Sequence, residues 1–412
     1  MNSQLILKPT SHFSGEVKVP GSKSISNRVL LMGALAEGES KFIGILESED
    51  TRYMREALEI LGKNFSNENA ELFLGNAGTA MRSLTAALCL KNGEYILRGE
   101  PRMHERPIKD LVDALRTLGA NIEYLGNDGC PPLKIKAKGL SGGVVHIKGN
   151  ISSQFLSALL IAAPYCREAL EIIVDGELIS RPYVYMTIRL MEKFGIKTEN
   201  DNYKSFKVEK GVYKAQTLEI EGDASSASYF WAAKAITKGN VVVKGIEKNG
   251  LQGDVKFLEV LEKMGEDLNG ITIDATLFPD AAMTICPLAC YAKGKTKITG
   301  IASWRVKETD RISAMACELR KVGAEVITGD DFIEITPPKE ILPATIETYN
   351  DHRMAMCFSL LSLNSPSKNG AEITILNPEC VNKTFPGYFG EFKRLSATLQ
   401  RPMPNIQGSQ NL

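Results

Sequence analysis

Six short clusters of small and helix-capping residues, each directly before an apolar run, constrain the fold of this chain more than any other feature. Serine, asparagine, aspartate and glycine are favoured at helix N-termini, so each cluster predicts the start of a helix. The clusters begin at Gly21, Gly75, Ile151, Gly222, Pro279 and Tyr349. An apolar helix end followed by glycine lies between them at Gly62, Gly119, Gly195, Gly265 and Gly323. This alternation predicts a unit of several dozen residues that is repeated six times.

Short β-branched or alternating runs lie between the helical segments and predict strands, which makes each unit an α/β unit. These runs centre on Val145, Ile173, Val242, Glu334 and Thr374. The links between a stop glycine and the next cluster differ in length. The first and fourth links take 14 and 15 positions, whereas the other three take 27 to 33. Because a strand takes about 5–6 residues, the first and fourth units are predicted to lack a hairpin.

The chain has 412 residues, more than the roughly 250–300 at which a single core stops growing, so two domains are expected. Lys plus Arg and Asp plus Glu each number 49, and this balance argues against bulk attraction to nucleic acid. The first residues predict no signal peptide, and the longest apolar run, residues 155–163, is too short to span a bilayer. Eight cysteines without C-x-x-C spacing and four scattered histidines argue against a zinc site and predict a reduced, cytoplasmic protein.

Cationic side chains accompany the predicted helix starts, and helix N-termini themselves present unpaired N–H groups that favour anions. The cations at these starts or in equivalent loops are Lys23, Arg28, Arg82, Arg106, Lys307, Arg311, Arg353 and Lys383. Two carboxylates, Asp280 and Glu308, lie among them. Many cations around few acids predict a site for one or two small polyanions with proton transfer. Nucleotide binding has little support, because the chain has no Walker loop and no G-x-G-x-x-G after a strand.

Several of these residues also have a simpler interpretation when each is taken alone. Lys23 and Arg28 are compatible with a solvated helix face. Asp280 is compatible with an ordinary N-cap, since aspartate is favoured there. Lys383 lies in a turn-rich stretch, where a loop lysine is unremarkable.

The stretch SWRVKETDR, residues 303–311, crowds cations and acids together. A surface ion-pair network is the simpler interpretation of such a stretch. If the segment is helical, Lys307 and Arg311 form a like-charge i,i+4 pair, whose small cost a bound anion would offset. Arg106 precedes a proline and is therefore expected on an extended segment.

Nine motifs follow one another between Pro20 and Phe389. They read PGSKSISNR, LFLGNAGTAMR, GEPRMHERPI, SSQFLSALL, GDASSASYF, PDAAMTI, WRVKETDR, YNDHRMAM and KTFPGYF. In this order they resemble the 5-enolpyruvylshikimate 3-phosphate synthase family. The resemblance implies a two-domain inside-out α/β barrel, with six βαβαββ-type repeats, three per domain, and a cleft between the domains. It places one domain at residues 21–222 and the other at residues 1–20 plus 223–412.

The resemblance also implies a reaction, in which the enolpyruvyl group of phosphoenolpyruvate passes to the 5-hydroxyl of shikimate 3-phosphate and phosphate is released. This step belongs to the shikimate pathway to chorismate and the aromatic amino acids. In this addition and elimination, C3 of phosphoenolpyruvate is protonated, the hydroxyl attacks C2, and a C3 proton is lost as phosphate leaves. No metal or organic cofactor is implied. The enzyme is expected to be a monomer that binds small molecules, without nucleic acid or membrane.

The resemblance assigns roles to the residues that match the motifs. Asp280, Glu308 and Lys23 are the expected catalytic residues, with Asp280 accepting the proton of the 5-hydroxyl. The residues expected to bind shikimate 3-phosphate are Lys23, Ser24, Arg28, Ser152, Ser153, Gln154, Ser180, Asp280, Ser303 and Lys307. Those expected to bind phosphoenolpyruvate are Lys23, Asn76, Gly78, Arg106, Gln154, Arg311, Arg353 and Lys383. Gly78 is expected to leave room for the phosphate, and Arg82 need not touch the ligand.

Two positions depart from the pattern of the family. Ser303 precedes Trp304 where many members carry asparagine, so a shorter side chain faces shikimate 3-phosphate. Ser83 follows Arg82 where proline is common, and proline there fixes the helix that carries Gly78. Serine is expected to let the phosphoenolpyruvate pocket shift. We therefore expect weaker binding of glyphosate, the family's phosphoenolpyruvate-competitive inhibitor.

Two alternatives remain at this point. A sister enzyme with the same fold transfers enolpyruvyl to UDP-N-acetylglucosamine, and its members carry a reactive cysteine in the loop that matches residues 99–107. The loop here, GEPRMHERP, has no cysteine. The other alternative is a non-catalytic anion-binding scaffold, which would tolerate the loss of Lys23, Asp280 or Glu308, and all three are present.

Overall fold

The structure, a computed structural model, describes residues 3–247 and 250–397. The helices in this part are α1 (Lys23–Leu35), α2 (Glu49–Leu61), α3 (Gly78–Leu88), α4 (Lys109–Thr117), α5 (Ser153–Ala162), α6 (Arg181–Lys193), α7 (Ala224–Thr237), α8 (Phe257–Met264), α9 (Ile285–Ala289), α10 (Arg311–Lys321), α11 (His352–Ser359) and α12 (Tyr388–Ser396). The strands are β1 (Gln4–Leu7), β2 (Gly15–Lys18), β3 (Lys41–Ile43), β4 (Asn69–Phe73), β5 (Asn92–Arg98), β6 (Asn121–Tyr124), β7 (Leu133–Lys138), β8 (Gly143–Lys148), β9 (Leu170–Asp175), β10 (Thr198–Asp201), β11 (Ser205–Val208), β12 (Thr217–Glu219), β13 (Val241–Lys244), β14 (Thr272–Asp274), β15 (Thr296–Thr299), β16 (Glu325–Thr328), β17 (Ile333–Thr336), β18 (Ala344–Ile346) and β19 (Ile373–Leu376).

The six predicted helix starts open α1, α3, α5, α7, α9 and α11, so this prediction is confirmed. Three of these helices are capped by side chains, because Ser152, Asp223 and Asp351 accept hydrogen bonds from first-turn N–H groups. The fifth start differs, since Ala281–Thr284 form a 3-10 turn before α9. The five stop glycines are confirmed as well. Each follows a helix within two residues and has φ between +67° and +95°, a conformation that glycine adopts without strain.

The strands form six small sheets in the described chain, one to each predicted unit. Three sheets are four-stranded, with orders β4-β5-β7-β6, β10-β11-β9-β8 and β14-β15-β17-β16. The two-stranded sheets β3-β12 and β2-β13 fall in the first and fourth units, where the short links predict a missing hairpin. The sheet β1-β19-β18 is completed by the N-terminal strand, which runs antiparallel to β19. All five runs predicted as strands are strands, in β8, β9, β13, β17 and β19.

Two separate clusters of buried apolar side chains form the interior of the described residues. The first core extends from Ile25 to Ile220. The second core joins buried side chains of residues 13–19 to those of residues 227–395. The N-terminal segment therefore packs with the C-terminal half of the chain, as the pairing of β1 and β2 requires.

The chain passes between the two cores twice, and the two passages lie side by side. Gly21 in the first passage forms an isolated antiparallel bridge with Gly222 in the second. A Cβ atom at Gly21 would lie 2.1 Å from the carbonyl oxygen of Gly44. Only glycine allows this approach, so the passage depends on the glycine that opens the first cluster.

The most apolar helices, α5 and α9, lie inside the cores. The apolar run in α5 is buried. Cys286 in α9 and Cys290 directly after it are buried free thiols, as their spacing in an apolar run predicts. Burial raises the pKa of Cys290 to about 12. Within residues 3–247 and 250–397, no helix is both long and apolar enough to cross a membrane.

Candidate active site

A pocket with a cavity volume of about 60 Å³ is lined from the sides of both cores. The starts of α1 and α5 and residue Ser180 face it from one side, and Asp280, Ser303 and Lys307 face it from the other. All ten residues predicted to bind shikimate 3-phosphate line this pocket: Lys23, Ser24, Arg28, Ser152, Ser153, Gln154, Ser180, Asp280, Ser303 and Lys307. Converging helix N-termini favour an anion in the space that they share.

The solvated helix face considered for Lys23 and Arg28 is wrong. The Lys23 side chain is 13% exposed and Arg28 is 3% exposed. Arg28 donates from Nε to Thr187 Oγ1 at 2.8 Å and from Nη1 to the carbonyl oxygen of Ser24 at 2.8 Å. Burial lowers the pKa of Arg28 to about 10, against a smaller raising effect of Tyr183. The hydrogen-bond partners of this buried guanidinium are neutral oxygen atoms, and no carboxylate among the described residues forms a salt bridge with it. Its positive charge is therefore well suited to bind an anion.

Asp280 contacts three cations. Its Oδ1 lies 3.4 Å from Nζ of Lys307 and 3.3 Å from Nη1 of Arg311, and its Oδ2 lies 3.3 Å from Nη2 of Arg353. The side chain makes no capping hydrogen bond to the turn that follows, so the N-cap interpretation of Asp280 is wrong. Burial by itself raises the pKa of Asp280. The three cations lower it by more, and the pKa of Asp280 lies well below its usual range.

Arg311 is 1% exposed and is held by two further carboxylates. Its Nη2 donates to Glu308 at 2.8 Å, and its Nε donates to Asp351 at 2.7 Å. Burial lowers the pKa of Arg311, but the surrounding carboxylates raise it by more. The helical i,i+4 pair considered for Lys307 and Arg311 does not form, because Lys307 has an extended backbone with φ −84° and ψ −152°. The two cations share Asp280 instead.

The charged stretch before α10 contains an exposed pair and a buried acid. The surface ion-pair interpretation applies to Arg305 and Asp310, which lie 2.9 Å apart and are each about one third exposed. Glu308 is 7% exposed. Burial raises the pKa of Glu308, but Arg311 and Arg106 lower it by more, so it lies well below its usual range. Glu308 is therefore a carboxylate in the free protein.

A second group of predicted residues lies in and behind the pocket wall and joins the two cores. Arg106 is extended, as predicted, and donates from Nη1 to Oδ1 of Asn76 at 2.8 Å. Lys383 donates from Nζ to the carbonyl oxygen of Asn76 at 2.9 Å and to Oδ1 of Asp50 at 2.6 Å. Its side chain is 8% exposed, so the interpretation of Lys383 as an unremarkable loop lysine is wrong. Burial lowers the pKa of Lys383, but Asp50 and Glu308 together raise it by more, which leaves the pKa above its ordinary value.

The expectation that Gly78 leaves room for a phosphate needs correction. A Cβ atom at Gly78 would lie 2.6 Å from Nη2 of Arg106 and 2.8 Å from Nη1 of Arg82. The space beside Gly78 is therefore filled by two guanidinium groups. Arg82, which need not touch the ligand according to the motif, also lines the pocket. Burial first and Arg106 second lower the pKa of Arg82 well below its ordinary value.

The predicted phosphoenolpyruvate residues divide into two sets. Those that line the pocket are Lys23, Arg106 and Gln154. Those that lie outside its wall and contact wall residues or one another are Asn76, Gly78, Arg311, Arg353 and Lys383. Five of the eight predicted cations form salt bridges within the described residues, and their partners are four carboxylates rather than two: Asp50, Asp280, Glu308 and Asp351.

Three site components are absent from the predicted set: the two additional acids, Asp50 and Asp351, and the pocket residue Tyr183. Asp351 could have been found from the sequence, because it caps α11, whose first turn contains Arg353. No sequence pattern marks Asp50 as a site residue, because it lies in the first turn of α2, where an acidic residue is common. Its contact with Lys383 joins residues 333 positions apart.

Comparison with known proteins bears on what this pocket does. The chain matches the family model of EPSP synthase (3-phosphoshikimate 1-carboxyvinyltransferase) over residues 7–392. It is 52% identical to the 3-phosphoshikimate 1-carboxyvinyltransferase of Sulfurovum sp. (strain NBC37-1), across 96% of this chain and 100% of that protein. It is 51% identical to the protein of the same name from Marinomonas sp. (strain MWYL1), across 96% and 100%.

A solved structure of EPSP synthase from Acinetobacter baumannii resembles this chain with a TM-score of 0.78 at 26% identity. The match covers 96% of this chain and 98% of that one. The six sheets and two cores described above are therefore arranged as the two-domain inside-out α/β barrel that the motifs imply.

Proposed function

Because the chain belongs to the EPSP synthase family, we propose that it transfers the enolpyruvyl group of phosphoenolpyruvate to the 5-hydroxyl of shikimate 3-phosphate. Phosphate is the other product, and the step serves chorismate and aromatic amino acid biosynthesis. The observation that carries this proposal in the chain itself is the cationic pocket, which all ten predicted shikimate 3-phosphate residues line.

Charge explains why such a reaction needs this pocket. Both substrates carry a phosphate and a carboxylate, and two unit charges about 4 Å apart repel by roughly 4 kcal/mol at an effective dielectric constant of about 20. Five of the predicted cations share four carboxylates, and the other three, Arg28, Arg82 and Arg106, form no salt bridge within the described residues. The site therefore has an excess of positive charge to offset this repulsion. Holding the hydroxyl against C2 can then contribute roughly 7–11 kcal/mol toward the barrier.

The two substrates take neighbouring parts of the site in this proposal. Shikimate 3-phosphate binds at the starts of α1 and α5, where Arg28 and Ser153 supply donors. Phosphoenolpyruvate binds beside Arg106, with Lys383 and Arg353 adding charge from behind the wall. Lys307 and Asp280 face the shikimate 3-phosphate side.

Proton transfer is assigned to Asp280, Glu308 and Lys23. In the free protein the ion pairs of Asp280 lower its pKa, which makes it a weak base. Substrate anions compete for the same cations, so their binding raises the basicity of Asp280 when the 5-hydroxyl arrives. Asp280 then takes the hydroxyl proton as oxygen attacks C2. Glu308 and Lys23 are the candidates for proton transfer at C3: the Lys23 ammonium gives a proton to C3, and the Glu308 carboxylate accepts the C3 proton that is lost as phosphate leaves.

Closure of two domains completes the proposal. We keep the predicted division into residues 21–222 and residues 1–20 plus 223–412, and we infer that shikimate 3-phosphate drives closure because its ligands come from both parts. Small-angle scattering tests this with the purified protein, whose radius of gyration should fall when shikimate 3-phosphate is added. An unchanged radius would contradict it. A cytoplasmic location and a monomeric state remain predictions.

The activity is tested by phosphate release from phosphoenolpyruvate with three acceptor conditions: shikimate 3-phosphate, UDP-N-acetylglucosamine, and none. Release with shikimate 3-phosphate alone supports the proposal. Release only with the nucleotide sugar would identify the sister reaction, and no release with either acceptor would leave the anion-binding scaffold.

A matched pair of variants connects the activity to the pocket. Lys307→Met removes a pocket cation and should lower kcat/KM by about 10- to 100-fold, because a charged hydrogen bond contributes roughly 1.5–3 kcal/mol and about 1.4 kcal/mol corresponds to a tenfold change. Arg305→Met removes a cation two positions away that pairs with exposed Asp310, and should leave kcat/KM nearly unchanged. Equal losses in the two variants would contradict this placement of the site.

A further inference from the structure

Asp254 carries a buried carboxylate that the proposed reaction does not use. It is 4% exposed, and its Oδ2 accepts hydrogen bonds from the hydroxyl of Tyr183 at 2.9 Å and from the hydroxyl of Ser225. Its Oδ1 is buried without a hydrogen-bond partner, and within the described residues no cation forms a salt bridge with Asp254. Burial and, next, the charge of Asp280 raise the pKa of Asp254 to about 6. A buried acid without a cation is costly, so a structural role alone explains it poorly.

The contact between Asp254 and Tyr183 joins the two cores. Tyr183 lies in α6 and packs against the first core. Asp254 lies in the 3-10 turn Gly253–Lys256, directly before α8, whose Phe257 belongs to the second core. The contact is made at a close approach of the two parts. A Cβ atom at Gly253 would lie 2.4 Å from Cβ of Pro182.

Tyr183 also lines the candidate pocket, beside Ser180 and Arg28. Its carbonyl oxygen accepts hydrogen bonds from Thr187 at 2.9 Å and from Arg28 at 3.4 Å. Its hydroxyl donates to Asp254, so this donor is not free for a ligand. Tyr183 is thus held at its backbone by a pocket cation and at its ring end by the opposite core.

We propose that Asp254 is a positioning residue, which fixes Tyr183 in the wall of the shikimate 3-phosphate site when the two cores are in contact. The inference rests on the proposed function, because that function assigns this wall to the acceptor substrate. An ionised acceptor makes a stronger hydrogen bond than a neutral one, which explains a carboxylate at this position. Contact between the cores thereby sets the shape of the acceptor site.

The test uses Asp254→Leu, Tyr183→Phe and the double variant in the phosphate-release assay. Each single variant should raise KM for shikimate 3-phosphate about tenfold, with kcat and KM for phosphoenolpyruvate changed less than about twofold. The double variant should also show about a tenfold rise, because both changes remove the same hydrogen bond. Asp254→Asn keeps an acceptor oxygen and should restore most of the wild-type KM.

Ser225→Ala is the matched control, since it removes the other donor to the same carboxylate oxygen and leaves Tyr183 in place. It should lower the thermal unfolding temperature without changing KM for shikimate 3-phosphate. A multiplicative rise in the double variant, or a wild-type KM in Tyr183→Phe, would overturn the assignment. If Asp254→Leu does not fold, the KM of Tyr183→Phe for shikimate 3-phosphate alone tests the proposal. Absence of wild-type turnover would instead contradict the proposed function, and the role of Asp254 with it.

Discussion

Gly78→Ala is predicted to weaken phosphoenolpyruvate binding by about 10- to 100-fold and to leave shikimate 3-phosphate binding nearly unchanged. Gly78 is the first residue of α3, and the space beside it holds the guanidinium groups of Arg106 and Arg82. A methyl group there would meet Nη2 of Arg106 at 2.6 Å and Nη1 of Arg82 at 2.8 Å. The side chain that must move is therefore one that the proposal assigns to phosphoenolpyruvate.

The size of the effect follows from the displacement. Ordinary van der Waals contact begins at 3.4 Å, so the Arg106 guanidinium must shift by about 0.8 Å. Its hydrogen bonds to Oδ1 and to the carbonyl oxygen of Asn76, at 2.8 and 2.9 Å, hold it in the present position. A shift of this size weakens at least one charge-assisted hydrogen bond, which contributes roughly 1.5–3 kcal/mol. About 1.4 kcal/mol corresponds to a tenfold change in affinity, which gives the stated range.

Initial rates of phosphate release, with each substrate varied in turn, measure this effect. Gly390→Ala is the control, because Gly390 lies in α12 and a Cβ atom there meets nothing within 4 Å. The control should keep both KM values and gain up to about 1 kcal/mol in the free energy of unfolding. An unchanged KM for phosphoenolpyruvate in Gly78→Ala would refute the reasoning, and so would an equal rise in both KM values.

Three further substitutions have expected outcomes. Asp280→Asn should lower kcat by at least about 100-fold, because general-base catalysis contributes roughly 10²–10⁴-fold, and full turnover would remove its assigned role. Asp50→Asn leaves the buried Lys383 unpaired and should lower the free energy of unfolding at pH 7 by about 3–5 kcal/mol in urea denaturation. The pKa of Lys383 is raised above 10.5 in the folded protein, so the stability that the ion pair contributes should be lost in the wild type as pH rises through this folded pKa. Asp50→Asn lacks the ion pair, and its free energy of unfolding should not show this loss. Ser83→Pro should tighten inhibition by glyphosate, because proline in the interior of α3 removes a helix hydrogen bond and so repositions the turn that carries Gly78, and equal inhibition of both proteins would dismiss the idea.

Local signals in the sequence predict most of the fold. Capping residues and stop glycines act within one or two helical turns, so their meaning does not depend on distant residues. The length of a link between two helices is also a local property, so the two short links predict the two-stranded sheets β3-β12 and β2-β13. The 3-10 turn before α9 escapes this reasoning, because Asp280 at its start bonds to cations of other segments instead of capping the turn.

The sequence alone determined the repeat, the elements and, through the motifs, ten residues that line one pocket. Only the tertiary structure decided which charges neutralise one another. Asp50 meets Lys383 across 333 positions, and guanidinium groups from two segments fill the space beside Gly78. The physical reason is range: capping and periodicity are local, whereas the Coulomb energy of a buried carboxylate depends on every cation that the fold places within a few ångströms.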